Sequence, residues 1–267
     1  MGLSFGFITA PKNIQEAREI MSHHGHGENH SDNSKIQKES IDINSLSIMY
    51  KSKKEDAEHG PSHDEHVFHQ LSNKPWAALY VAAFFFFMIS LGTLAFYAIN
   101  RAAQVGWSPI LFRVMEGITA YMLPGGLIVI FILFLSGLHL NHLFIWMDPE
   151  IVAHDKLIAG KTGYLNTPFF LARAIFFLGV WSLYRFFSRK FSLAQDNASD
   201  ISNHKKNFRI SAAFLVFYIV TESIMSWDWI MSVDPHWFST LFGWYVFASM
   251  FVSGITAIAP VSYTHLR

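Results

Sequence analysis

The sequence predicts an all-α fold, a polytopic transmembrane helical bundle, and three observations predict it. From Pro75 onward, stretches of about 20 residues run with very few charges, close to what a helix rising ~1.5 Å per residue needs to cross a ~30 Å hydrocarbon core. Trp76, Tyr97, Trp107, Tyr121, Trp146, Trp181, Tyr184 and Trp237 fall near the ends of these stretches, where amphipathic rings settle among headgroups. The 51% hydrophobic composition is unevenly spread, with polar residues concentrated in 11–74. Lys and Arg number 20 against 20 acidic residues and occur in short clusters. That leaves no basic stripe for nucleic acid, and both nucleic-acid binding and soluble catalysis are set aside. The absence of cysteine excludes disulfides, cysteine-ligated iron-sulfur clusters, CxxCH haem attachment and thiol nucleophiles.

The elements follow in chain order. Residues 1–10, MGLSFGFITA, read like the last turns of a hydrophobic helix, the remnant of an N-terminal membrane anchor. Residues 11–74 form a polar segment holding His23, His24, His26, His30, His59, His63, His66 and His69. It has too little apolar surface to fold alone and is expected to be disordered or bound to a partner. Its imidazoles suit divalent metals, His23, His24 and His26 foremost, but their spacing repeats no defined ligand pattern and a solvated tether is the plainer reading. Asn13 to Met21 suits a short helix lying on the membrane or on a partner. The bundle occupies 75–260, with spans expected at 75–99, 121–146, 167–187, 209–231 and 240–260. The fifth is expected to stop at Pro260, and 261–267, VSYTHLR, is an atypical end. Both ends read like those of a fragment.

Orientation follows from Lys and Arg near the spans. Arg101, Arg113, Arg185, Arg189, Lys190, Lys205, Lys206 and Arg209 lie on one side, and Lys74, Lys156 and Lys161 on the other. This bias puts residues 11–74 outside.

Ionisable groups within spans are expensive and mark candidate sites. Ser136, His139 and His142 are spaced by three and are expected on adjoining parts of one helical face. His139 suits either a quinone hydrogen-bond partner or proton carrier, or a hydrogen bond between helices; His142, nearer the span end, reads as interfacial. Arg173 either snorkels to headgroups or pairs with a buried acid. Glu222 is the deepest acid and the foremost proton-carrier candidate. Asp228 lies six positions on, roughly 120° around the helix, so the two carboxylates do not share a face. Asp148 completes the proton-transfer or quinone-associated candidates, whereas Asp228 and Asp234 can also cap helices, Asp234 most readily because Pro235 follows. Pro124-Gly125-Gly126 and Ser253-Gly254 suit close helix packing. Histidines in the spans fall on one helix only, so this chain is not expected to hold a haem between helices.

Whole segments also carry a resemblance. Ser226 to Ile255, SWDWIMSVDPHWFSTLFGWYVFASMFVSGI, resembles the second large membrane subunit of alternative complex III, the bacterial quinol:cytochrome c oxidoreductase. The likeness includes WAALYVAAFFFFMISLGTLAFYAI from Trp76, GWSPILFRVMEGITAYMLPGG from Gly106, LSGLHLNHLFIWMDPEIVAHDKLIAGKTGYLN from Leu135 and FFSRKFSLAQD from Phe186. It covers 75–260 nearly continuously and looks like the Bacteroidetes form. The resemblance implies a polysulfide-reductase, NrfD-like subunit of about ten helices when complete, without a redox centre of its own or a covalently bound cofactor. It implies a paralogous large subunit beside it, partner subunits with iron-sulfur clusters and c-type haem on the outer face, and a terminal oxidase as a further associate. Quinone or quinol is then expected at this subunit or its paralogue, with membrane lipids around both, in a bacterial inner membrane with 11–74 periplasmic. The family pattern expects an apolar continuation where VSYTHLR stands. The rival readings are an ion or small-solute transporter, for which inverted repeats and broken helices are not evident, and a purely structural membrane anchor.

Overall fold

The computed structural model describes residues 7, 10–24 and 63–265, and the chain divides into two units, Met1–Ala77 and Ala78–Arg267. In the first unit, α1 (Ile14–His24) begins where Asn13 Oδ1 accepts the Glu16 amide at 2.9 Å while Glu16 Oε2 accepts the Lys12 amide at 2.7 Å. Two otherwise orphaned helix-start donors are thus satisfied by side chains. The helix runs slightly past the expected Met21. His26 and the tract 25–62 lie outside the described residues, as do the side chains of His23 and His24.

All regular elements among the described residues are helices. Five are long and apolar enough to cross a membrane: Leu71–Ala102, Ser108–Gly137, Thr167–Asp196, Ser202–Val233 and Phe242–Thr264. The first belongs to α2 (His63–Ala102), which starts N-terminal to Pro75 and carries that proline inside it. The second is built from a 3-10 turn Ser108–Leu111, α3 (Phe112–Ile118), a second 3-10 turn Thr119–Tyr121 and α4 (Met122–Gly137). Two short helices, α5 (Pro149–His154) and α6 (Lys156–Ala159), lead to α7 (Thr167–Asp196). Then come α8 (Ser202–Trp229) with a 3-10 turn Met231–Val233, and α9 (Phe242–His265).

Three expected boundaries are corrected. The second span is shifted from 121–146 to Ser108–Gly137, because the helix stops at Gly137 and His139 turns into the left-handed region at φ 57°. The apolar residues 138–146 that suggested a longer span form a turn instead, in which Phe144 and Trp146 pack inward. The fifth span does not stop at Pro260, since α9 passes through it to His265. A proline removes one N–H and one helical hydrogen bond, which bends a helix more readily than it ends one when packing holds both sides. The polar connection 188–208 also shrinks, as α7 extends to Asp196.

Within the second unit α7 and α8 form an antiparallel pair, α9 lies beside α8, α4 beside α7, and α3 beside α9. The α2 span is the most enclosed, with 61% of its most apolar stretch buried against 22% for the last span. Its Phe87 meets Trp229 at 5.8 Å and Trp181 at 6.4 Å between ring centroids. Backbones come closest where glycines face them. A Cβ on Gly92 would run into the Met250 carbonyl, and one on Gly254 would sit 2.7 Å from the Thr93 amide. Lipid removes the hydrophobic incentive for helices to associate, so such close packing is what holds a bundle of this kind together.

Candidate functional site

The site is assembled at the junction of the α6–α7 and α8–α9 connections. Asn166 caps α7 by accepting the Phe169 amide at 3.0 Å, and a proline follows in the first turn. This fixes the helix start and with it the direction of Arg173. Its Nε and Nη2 donate to the two oxygens of Asp228, near the end of α8, at 2.7 and 3.1 Å. The guanidinium lies 4.0 Å from the Tyr164 ring centre and 4.2 Å from that of Phe169, and Nη1 donates to the Tyr164 carbonyl at 3.3 Å. With side chains 10% and 0% exposed, the pair is desolvated, and its planar fork matches the carboxylate in a way an ammonium could not. Arg173 therefore pairs with a buried acid and does not snorkel, and Asp228 is an ion-pair partner and not a cap.

Beside this pair lies a cleft of about 400 Å³, lined among others by Lys161, Tyr164, Trp227, Ser232, Trp237 and Phe238. Tyr164 joins it to the charges by stacking on Arg173, and Ser232 Oγ donates to the backbone carbonyl of Asp228. Burial, and then the Asp228 carboxylate, push the Tyr164 phenol above its ordinary range, which keeps it a protonated donor. The Trp227 indole Nε1 is buried with no hydrogen-bond partner among the described residues.

Two contacts join these connecting segments. Asp155 starts α6 by accepting the Leu157 and Ile158 amides, and its Oδ2 lies 2.5 Å from His236 Nε2. Lys161 Nζ donates to the Pro235 carbonyl at 2.5 Å. Partial desolvation opposes ionisation of Asp155, but the two amides and His236 prevail and hold its carboxyl below the usual range.

Glu222 stands apart, as its helical angle predicts. It is buried on α8, its Oε1 has no hydrogen-bond partner among the described residues, and its Oε2 reaches only Ser223 Oγ, at 3.5 Å. The other candidates scatter. His139 and His142 sit in the turn beyond α4, so the expected helical face with Ser136 does not form; Ser136 Oγ instead donates to Asn141 Oδ1 at 2.5 Å. Asp148 caps α5 through the Glu150 amide at 3.0 Å. Asp234 accepts the His236 amide at 3.1 Å within a turn, and no helix starts there.

Sequence reasoning missed the polar cluster at the opposite end of the α7–α8 pair. Buried Glu116 accepts from Arg113 at 2.7 Å and from Tyr97 at 3.1 Å, and lies 3.8 Å from Arg101. Arg101 donates to Ser192, and Ser188 bridges Tyr97 to Asn207. The arginines had been assigned to connections. The signal was Arg113 and Glu116 spaced by three in a segment otherwise apolar, a spacing that pairs them on a helix.

The site thus offers an aromatic cleft, a neutralised charge pair and, elsewhere on α8, a buried carboxyl group. No protein-family model matches the chain, and no curated protein matches it.

Proposed function

We propose that this chain is an integral membrane subunit of a respiratory quinol:cytochrome c, or oxidase-linked, oxidoreductase, contributing quinone access and a proton route without a redox centre of its own. The observation that carries the reading is the aromatic cleft beside Arg173–Asp228, whose lining includes Tyr164, Trp227, Trp237 and Phe238 and suits a lipid-phase ring. The resemblance across 75–260 supports it. A quinol giving up two electrons also gives up two protons. In this reading the electrons pass to iron-sulfur and haem centres on partner subunits at the outer face of a bacterial inner membrane. The protons need an acceptor at the right depth, and Glu222, six residues or ~9 Å along α8 from Asp228, is a buried carboxyl group whose Oε1 lacks a hydrogen-bond partner among the described residues. His139, in its turn beyond α4, is the secondary candidate, and a paralogous subunit is the expected neighbour.

The test is to tag the full-length gene in its host, purify the protein in mild detergent, and record haem spectra and quinol:cytochrome c reductase activity. Co-purifying c-type haem with activity is the expected result; a haem-free, partnerless protein would overturn the reading. In the intact complex, Glu222→Gln is expected to slow quinol oxidation by about 10²-fold, the usual scale for losing a general base. Unchanged oxidation and proton release in Glu222→Gln and His139→Ala would remove the proton role.

A further inference from the structure

We propose that Arg185 and Arg189 on α7 bind the phosphate of an anionic phospholipid from the surrounding bilayer, at the opposite end of the α7–α8 pair from the cleft. Arginines outnumber acids there. Glu116 pairs with Arg113 and lies 3.8 Å from Arg101, and Asp196, the one acid on α7, pairs with Arg113 as well. Both carboxylates are thus engaged. Arg185 and Arg189 enter no ion pair among the described residues, although Arg185 lies within electrostatic reach of Arg189 and Glu116. Four positions apart on one helix, the two are neighbours on its surface, and like charges so placed repel. An anion shared between them removes that repulsion and accepts charge-assisted hydrogen bonds from both.

Arg185 is held in position for this contact. Thr119 Oγ1 donates to the Glu116 carbonyl at 3.0 Å and accepts Arg185 Nε at 3.2 Å, which orients the guanidinium. Its two Nη groups make no hydrogen bond among the described residues, and a planar fork of this kind matches the oxygens of a phosphate. Arg185 is half-buried and Arg189 exposed, so the pair leads from the packed side of α7 to its surface. The depth is that of a headgroup. Arg185 stands eighteen positions after Thr167, where α7 starts, or ~27 Å along the axis, close to the ~30 Å of a hydrocarbon core. Leu183 and Phe186 beside it are 55% and 60% exposed, apolar surface for the acyl chains of a lipid whose phosphate meets the arginines. A free phosphate ion would make no use of them.

The full-length protein, purified in mild detergent and stripped of lipid, is titrated with dioleoylphosphatidylglycerol or dioleoylphosphatidylcholine, and bound lipid is counted by native mass spectrometry. The anionic lipid is expected to bind more tightly, and Arg189→Gln to weaken it about fivefold, the scale of one basic side chain at a membrane surface. Arg185→Gln should weaken it at least as much and the double variant about 25-fold, while Arg185→Lys, which keeps the charge without the fork, should restore only part. Arg189 makes no hydrogen bond among the described residues, so a loss at that position is not a loss of packing. Lys205→Gln with Lys206→Gln removes two exposed charges at the same end of α8 and should matter far less. Equal losses from the lysine and arginine pairs would reduce the effect to general surface charge and overturn the site. Displacement of the bound lipid by millimolar inorganic phosphate would overturn the lipid assignment in favour of a free anion. Because no quinol and no partner enter this measurement, it succeeds or fails independently of the respiratory reading.

Discussion

Arg173 and Asp228 are separated by 55 positions and share two hydrogen bonds, and their energetics define the residue scale. Removing one member of a buried pair strands the other charge at a cost of ~3–5 kcal/mol, whereas replacing both with apolar groups is far milder. Arg173→Met and Asp228→Leu should each lower detergent thermal stability by that amount, and the double variant should recover most of it. Equal, additive losses in the cycle would contradict a direct pair. His139 makes the opposite case. Its φ of 57° is a conformation that glycine adopts freely and β-branched residues resist. His139→Gly should leave stability unchanged or higher, and His139→Val should lower it by about 1–2 kcal/mol in the same melting assay. The sequence made Arg173, Asp228 and Glu222 legible as candidates because a charge within an apolar run stands out. It hid Glu116 and Arg101, because charges near a span end look like ordinary loop residues until the helices are placed.

At the scale of elements, glycine substitutions separate contact from conformation. Gly254→Ala places a methyl group against the backbone of α2, which cannot move as a side chain tip can, and should cost at least ~1–3 kcal/mol. Gly179→Ala on α7 meets nothing within 4 Å and should stabilise by ~0.5–1 kcal/mol through its helix preference. Melting temperatures of the two variants, moving in opposite directions, would check both statements. Hydropathy revealed that five spans exist, since length and apolarity are local properties. It misplaced the second because residues 138–146 are as apolar as a helix but serve as a buried turn, and only packing distinguishes the two. The reach of α7 to Asp196 was equally hidden, for its last turns alternate charged residues with Ser188 and Ser192 on the buried face.

For the whole molecule, ion pairs stand at opposite ends of the α7–α8 pair, with the buried Glu222 between them. Each end should be separately breakable. Glu116→Gln leaves Arg101, 8% exposed, with a weakened partner, and should lower the melting temperature by an amount that adds to the loss from Asp228→Leu; a non-additive double variant would show the two ends to be coupled. The fold class was readable from the sequence because a bilayer permits few architectures. The cleft was not, because its lining comes from two segments more than 60 residues apart that only the antiparallel pairing of α7 and α8 brings together.

That pairing also bears on how the chain is made. Arg173 and Asp228 sit on successive spans joined by the short connection 197–201. A ribosome delivers α7 first, with an arginine that a lone helix would have to carry into lipid uncompensated. The acid that neutralises it emerges one helix later, so insertion is most favourable when the translocon retains α7 until α8 arrives and releases the two as a hairpin.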